Sequence, residues 1–212
     1  MATRAPVEGL APGPRTLGPD LSRYLCRVLR LRAGDAFVAF DPVARTEADV
    51  VLDEASPDAA RVTVGALRAA GVVEDAPLVL VYALAKGDKV DAVVRDATEL
   101  GATRIVIART SRSVVKADEA RAASKLERFR RIAEQAARQC GRADPPQIEG
   151  VLAWPEALAS AGAEARYCLW ERATEPLGVS LASAVARGAS LAFAVGPEGG
   201  LSEEEVEEAR VA

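Results

Sequence analysis

Near the C-terminus stands the run LAFAVGPEGGLSEEEVEEARVA, in which three glycines (Gly196, Gly199 and Gly200) interrupt an apolar strand-like segment. Freed backbone N–H groups and missing side chains allow a ligand to approach a main chain closely. Ser202 and Glu205 have the S-x-x-E spacing of a helix start, so the pattern is strand, glycine loop, helix. It matches neither G-x-G-x-x-G nor the phosphate-loop pattern, and Glu198 with the glutamates after Ser202 repels a polyphosphate. A ligand with a neutral or cationic centre and an adenosine-like part suits it better; a plain tight turn is the alternative.

A second group of residues is cationic. On a helix expected over residues 118–140, Leu126, Phe129, Ala133, Ala136 and Cys140 share an apolar face. Arg128, Arg131, Gln135, Arg138, Gln139 and Arg142 form a separate stripe. Just upstream, ARTSRSVVK places Arg109, Arg112 and Lys116 in a loop with two serines. Such a set suits phosphate oxygens and base edges, the alternative being a solvated face. The formal net charge is −4, but residues 104–142 hold eleven Lys/Arg against four Asp/Glu, whereas residues 198–208 hold six glutamates and no base. So polarised a chain can carry a basic face despite its acidic sum.

The rest of the composition narrows the chemistry. There is no histidine, which removes Ser–His and Cys–His catalysis and histidine-bound metal. The three cysteines, Cys26, Cys140 and Cys168, are far apart, arguing for free thiols in a reducing compartment and against a disulfide framework or a metal site. No apolar run is long enough to span a membrane and the N-terminus has no secretory signal, so a cytoplasmic location is expected.

These groups need elements to hold them. Residues 1–72 read as a small β-rich domain with one helix, in which Leu21, Tyr24, Leu25 and Val28 form an apolar stripe and Gly34 ends the element. Arg23, Arg27 and Arg30 form a row on its far side. Residues 73–77 are the expected linker. Residues 78–212 alternate in the α/β manner: PLVLVYALA as a strand covered on both faces, a helix capped by Asp88 with Val90, Val93, Val94, Ala97 and Leu100 inward, then TRIVIA, the long helix, ARYCLW, PLGVSLASAVAR and SLAFAV.

Four segments in order, LSRYLCRVLRLRAGD, KGDKVDAVVRDATELGATRIVIARTSRSVVK, RFRRIAEQAARQCGRADPPQI and AVGPEGGLSEEE, make the chain resemble the RsmE family, bacterial 16S ribosomal RNA uracil-N3 methyltransferases of the SPOUT superfamily. The resemblance implies a PUA-like β-barrel that helps grip RNA, followed by a SPOUT-type α/β-knot methyltransferase domain. It implies a homodimer acting on 16S rRNA of the small ribosomal subunit, with S-adenosylmethionine as cofactor and no metal. Carried over by position, Leu169, Gly196, Pro197, Glu198, Gly199 and Gly200 would contact the cofactor. Arg109, Arg112, Lys116, Arg128, Gln135, Gln139 and Arg142 would face the RNA, with Arg23, Arg27 and Arg30 from the first domain. For catalysis, Arg112 is expected to stabilise the developing uracil anion, with Glu99 as the alternative polar partner.

The family carries a histidine where this chain reads LSRYLCR. It also continues past the GPEGG helix with an LGxxILRxETA segment and a last helix, while this chain stops at Ala212, which reads as truncation. A non-catalytic RNA-binding remnant, another SPOUT RNA methyltransferase, and an unrelated nucleotide-using α/β enzyme are the competing readings.

Overall fold

A computed structural model describes residues 3–70, 77–113 and 119–212 of the 212. The described residues divide into two compact units, one of residues 3–70 with 137–144, the other of residues 77–113, 119–136 and 145–212. The last turn of the long helix and the loop after it thus group with the N-terminal residues, which no single cut in the chain expresses. The expected linker falls almost wholly outside the described residues. No helix among them is long and apolar enough to cross a membrane.

The first unit is built on six strands: β1 (Arg4–Pro6), β2 (Gly13–Thr16), β3 (Ala36–Asp41), β4 (Thr46–Glu54), β5 (Arg61–Val64) and β6 (Arg68–Ala69). Their order is β1-β3-β4-β5-β2, with β6 also on β4; β1 runs parallel to β3 and the other pairs are antiparallel. No pairing of β1 with β2 closes this path among the described residues. Alternation does the sorting: Val50, Leu52, Val62 and Val64 point into one core with Leu17, Leu25 and Phe37, while Val51, Asp53 and Thr63 face out.

α1 (Pro19–Arg23) runs directly into a wider π-turn at Tyr24–Val28. There Leu29 N donates to Tyr24 O at 3.0 Å, five residues back. The extra residue rotates the stripe: Leu29 joins the core with Leu21, Tyr24 and Leu25, and Val28, expected inside, is 66% exposed. The element ends there, before Gly34, with Arg30 in the left-handed region at φ +56°. Arg23, Arg27 and Arg30 are exposed.

The second unit is a five-stranded, wholly parallel sheet of β7 (Leu78–Ala83), β8 (Arg104–Arg109), β9 (Gln147–Ala153), β10 (Ala165–Leu169) and β11 (Leu191–Val195), in the order β10-β11-β7-β8-β9. Its helices are α2 (Lys89–Glu99), α3 (Glu119–Cys140), α4 (Trp154–Ser160), α5 (Leu177–Ala186) and α6 (Glu203–Val211). Strand alternation again makes two faces. Val79, Val81, Val106, Ala108, Ala192 and Ala194 pack with Trp154 and Leu158 of α4 and Val206 of α6. Ile105 and Ile107 pack with Val90 and Val94 of α2 and Phe129 and Ala133 of α3 on the other side. Parallel strands covered on both faces explain why PLVLVYALA is continuously apolar.

Two details of α2 depart from the sequence reading. Asp88 occupies the position before the helix, but its side chain makes no capping bond. Leu100 falls just past the helix end and is 81% exposed, because Gly101, at φ +98°, turns the chain away.

Candidate cofactor and RNA site

In a parallel sheet all strands end at the same edge, and ligands bind where the loops leave it. Here the loops after β7, β8, β10 and β11 meet at that edge. The β11 loop is a turn closed by Gly200 N donating to Pro197 O at 2.8 Å. Gly200 has φ +74°, and an added Cβ would come within 2.7 Å of the Glu171 carboxylate. Glycine takes that φ without strain, and any other side chain would also have to displace the Glu171 carboxylate. A Cβ at Gly196 would meet the Leu201 side chain at 2.8 Å.

Three side chains cross-link this loop to its neighbours. Arg112 Nη1 donates to Gly199 O at 2.9 Å and to Leu201 O at 3.3 Å. Glu198 accepts from Lys86 N at 3.4 Å and pairs with Lys89 Nζ at 3.6 Å, joining it to the loop after β7. Its carboxyl is held below the usual glutamate value, chiefly by its own backbone amide and further by Lys86 and Lys89. Glu205, on the first turn of α6, accepts from Ser202 N at 2.9 Å and from Ser111 N at 2.6 Å. Ser202 Oγ accepts in return from Glu205 N at 3.2 Å, so the expected helix start is a full capping box. Burial pushes the Glu205 carboxyl up, but the Ser202 and Ser111 amides outweigh it and the net pKa lies below the usual value. Beneath the loop, burial first and Glu198 second raise the pKa of Tyr82 on β7.

Beside the glycine turn opens a cleft of about 740 Å³. Its walls are Leu169, Trp170 and Glu171 at the end of β10, Pro176, Leu177 and Ser180 at the start of α5, Gly196, Pro197, Gly200 and Leu201, and Val206 and Arg210 of α6. That volume is in the range of small-molecule pockets, and the lining mixes apolar side chains with polar and charged ones in nearly equal measure. Trp170 Nε1 is buried with no hydrogen-bond partner among the described residues. Deeper, Cys168 has its thiol pKa raised by burial, against the opposing charge of Arg210.

Of the residues expected at the cofactor, Leu169, Gly196, Pro197 and Gly200 line the cleft; Glu198 and Gly199 belong to the same turn but face Lys86 and Arg112. The sequence reading missed Trp170, Glu171 and Arg210. The strand-end position of Trp170 and Glu171, directly after Leu169, was the available signal.

The expected RNA-facing residues separate. Arg109 is exposed at the site end of β8, and Lys116 lies outside the described residues. Arg128 is exposed and bonded to Asp91 of α2, and Gln135 is exposed. Because α3 must return the chain to the start of β9, it leads away from the glycine edge. Arg128 and Gln135 lie nine and sixteen residues along it, roughly 14 and 24 Å from its start at 1.5 Å per residue. The stripe therefore descends the flank and does not ring the cleft. Gln139 is exposed, while Arg138 lies over the Tyr24 ring at 5.6 Å in the first unit.

Two expectations are corrected. Arg142 does not face outward: it is 2% exposed, buried in the first unit with Asp144, its Nε 3.7 Å from the carboxylate. The helix wheel failed because Arg142 lies past the end of α3, where the wheel no longer applies. Glu99 is not at the site either. It ends α2 five residues before Arg104, which pairs with Val79 at the start of β7, whereas the glycine turn follows Val195, which pairs with Tyr82 at the end of β7. A strand's length separates them.

Comparison with known proteins agrees with this architecture. Residues 73–212 match the model of a family described as RNA methyltransferase domain. The chain is 36% identical over 130 residues to the ribosomal RNA small subunit methyltransferase E of Bacillus subtilis, covering 58% of this chain and 50% of that protein. It is 35% identical over 193 residues to the enzyme of the same name from Mycobacterium bovis, covering 88% of this chain and 71% of that protein. The chain thus spans half the length of the first relative. The crystal structure of ribosomal RNA small subunit methyltransferase E from Neisseria gonorrhoeae, bound to S-adenosyl methionine, superposes with a TM-score of 0.86 at 25% identity, covering all of this chain and 86% of that one. With a family model matched over most of its length and a curated relative covered over more than two thirds, this chain belongs to the RNA methyltransferase family, among the ribosomal RNA small subunit methyltransferases E.

Proposed function

We propose that the protein methylates N3 of a uridine in 16S ribosomal RNA, taking the methyl group from S-adenosylmethionine. The observation that carries this reading is the cleft against the glycine turn, at the edge of the sheet where Arg109 and Arg112 also emerge. The residues present fit the cofactor. Gly200 leaves the space that a Cβ would take from Glu171, and Leu169 and Leu177 offer apolar contact. Glu171 presents a carboxylate to hydroxyls or to positive charge, and the turn's backbone offers the adenosine part polar contacts at close range.

S-adenosylmethionine supplies an electrophilic methyl on a sulfonium, and its transfer is an in-line displacement governed by positioning. Uracil N3 must lose its proton for attack. In a chain without histidine, a fixed cation beside the reacting ring favours the developing anion, and Arg112 is the cation held against the glycine turn. Arg109 gives phosphates a basic approach, and the first unit, with Arg23, Arg27 and Arg30, is a second RNA contact of PUA-like type. The functional assembly in this reading is a homodimer. Mass spectrometry of nucleosides from 16S rRNA and small subunits treated with the full-length protein and S-adenosylmethionine tests it. The expected product is 3-methyluridine; a ribose-methylated nucleoside would replace this reading with another methyltransferase activity, and salt-sensitive RNA binding without transfer would replace it with a binding role.

A further inference from the structure

Two helices of the second unit begin with a glutamate that accepts from the main-chain N–H three residues before it, and the two differ in a telling way. At the start of α4, Glu156 accepts a single main-chain bond, from Ala153 N at 3.2 Å, and is exposed. At the start of α6, Glu205 does the same for Ser202 N but is 7% exposed, and its second oxygen reaches Ser111 N, 94 residues away in the chain. Capping needs one carboxylate oxygen and no burial, as Glu156 demonstrates. Burying a carboxylate is costly unless its oxygens are bonded, so the position of Glu205 implies a use for the second bond.

The recipient of that bond identifies the use. Ser111 is the residue before Arg112, in a tight turn where Thr110 N donates to Ser113 Oγ and Ser113 N to Thr110 O, both at 3.1 Å. Fixing the Ser111 amide fixes the main chain from which the Arg112 side chain departs, and that side chain reaches Gly199 O and Leu201 O. A third bond, from Trp154 Nε1 to Glu205 O at 2.9 Å, anchors the same residue to α4.

We infer that Glu205 is a positioning residue: its carboxylate locks the Arg112 loop onto the first turn of α6 and thereby sets the guanidinium against the glycine turn. The inference rests on the proposed methyl transfer for its consequence in turnover, but the lock itself is independent of it. The test compares Glu205→Gln with Glu156→Gln in the full-length protein, each checked for folding by circular dichroism. Each carboxylate oxygen serves one main-chain donor. In E205Q an NH2 replaces one of them while the local capping bond to Ser202 N holds the remaining oxygen, so the Ser111 amide, followed by NMR hydrogen exchange, should lose its protection. The rate of methyl transfer should fall about tenfold or more with KM for S-adenosylmethionine little changed, as for a misplaced rather than a missing group. E156Q should leave both readouts as in the wild type. Unchanged Ser111 protection in E205Q, or equal losses in the two variants, overturns the inference. Lost protection in a protein whose wild type transfers no methyl group upholds the lock and refutes the proposed function instead.

Discussion

The two edges of the parallel sheet are built from the same strands yet differ in how their loops are held. At the edge where strands begin, main-chain bonds extend the ladder: Thr103 N to Leu78 O, Gln147 N to Thr103 O, Ala165 N to Ser190 O and Leu191 N to Pro77 O, all between 2.8 and 3.0 Å. Short hydroxyl links, Thr103 to Leu78 and Ser190 to Glu164, and one longer reach, Arg104 to Ser160 O, add to them. At the edge where strands end, Leu84 N to Ala108 O at 2.8 Å extends the ladder, but charged side chains also span from loop to loop: Glu205 to Ser111, Arg112 to Gly199, Glu198 to Lys86 and Lys89. A cleft opens at the first edge too, between Val79, Thr103, Gln147 and Gly162, but at about 360 Å³ it is half the size of the one beside the glycine turn. The larger cleft lies beside the charged links, between the ends of β10 and β11 and helices α5 and α6, where Gly196 and Gly200 leave the backbone open.

The largest effect that should distinguish the edges is at glycine. Gly200→Val adds branched bulk against Glu171 at φ +74°, and binding of S-adenosylmethionine by calorimetry should weaken about a hundredfold, near 2.7 kcal/mol. The corresponding change at the other edge, Gly162→Ala, meets nothing closer than Ser160 O at 3.6 Å and should leave that affinity unchanged, while the left-handed φ of +59° lowers stability by about 1 kcal/mol. Next come the two candidate catalytic groups. Arg112→Ala should lower the rate of methyl transfer about a hundredfold, the scale of losing one preorganised charge-stabilising donor, whereas Glu99→Ala should leave it unaltered.

The sequence showed one of these edges far better than the other features around it. The strand, glycine turn and capped helix were legible because capping and glycine usage are local, and the inward face of α3 because its period is local too: Phe129, Ala133 and Ala136 are buried as that period requires. What depends on topology was not legible. Arg112 meets Gly199 across 87 residues and Ser111 meets Glu205 across 94, contacts that follow only from the strand order. Val28 was lost to a single π-turn, and Arg142 to the point where its helix stops. A wheel assumes a period and cannot report where that period ends.

The smallest effect concerns pH. Glu205 and Asp41 both have folded pKa values below their ordinary ones, from the model-peptide values of 4.5 and 3.8; in each, amide hydrogen bonds outweigh the opposing effect of burial. A carboxyl with a depressed folded pKa stabilises fully above its unfolded pKa and loses that contribution as pH falls through the folded value. Thermal melts should therefore hold steady down to about pH 4.5 and then decline. Glu205→Gln should lower the plateau and flatten part of that decline, since the amide does not titrate.

The most direct test of the account is a titration of the full-length protein with S-adenosylmethionine followed residue by residue in amide NMR spectra. The account predicts saturable shifts at Leu169, Trp170, Gly196 and Gly200 and at Ser111 and Arg112, with Thr103, Gly162 and Ser190 unmoved. Shifts concentrated at Thr103, Gly162 and Ser190, or none at the glycine turn at saturating ligand, would contradict it.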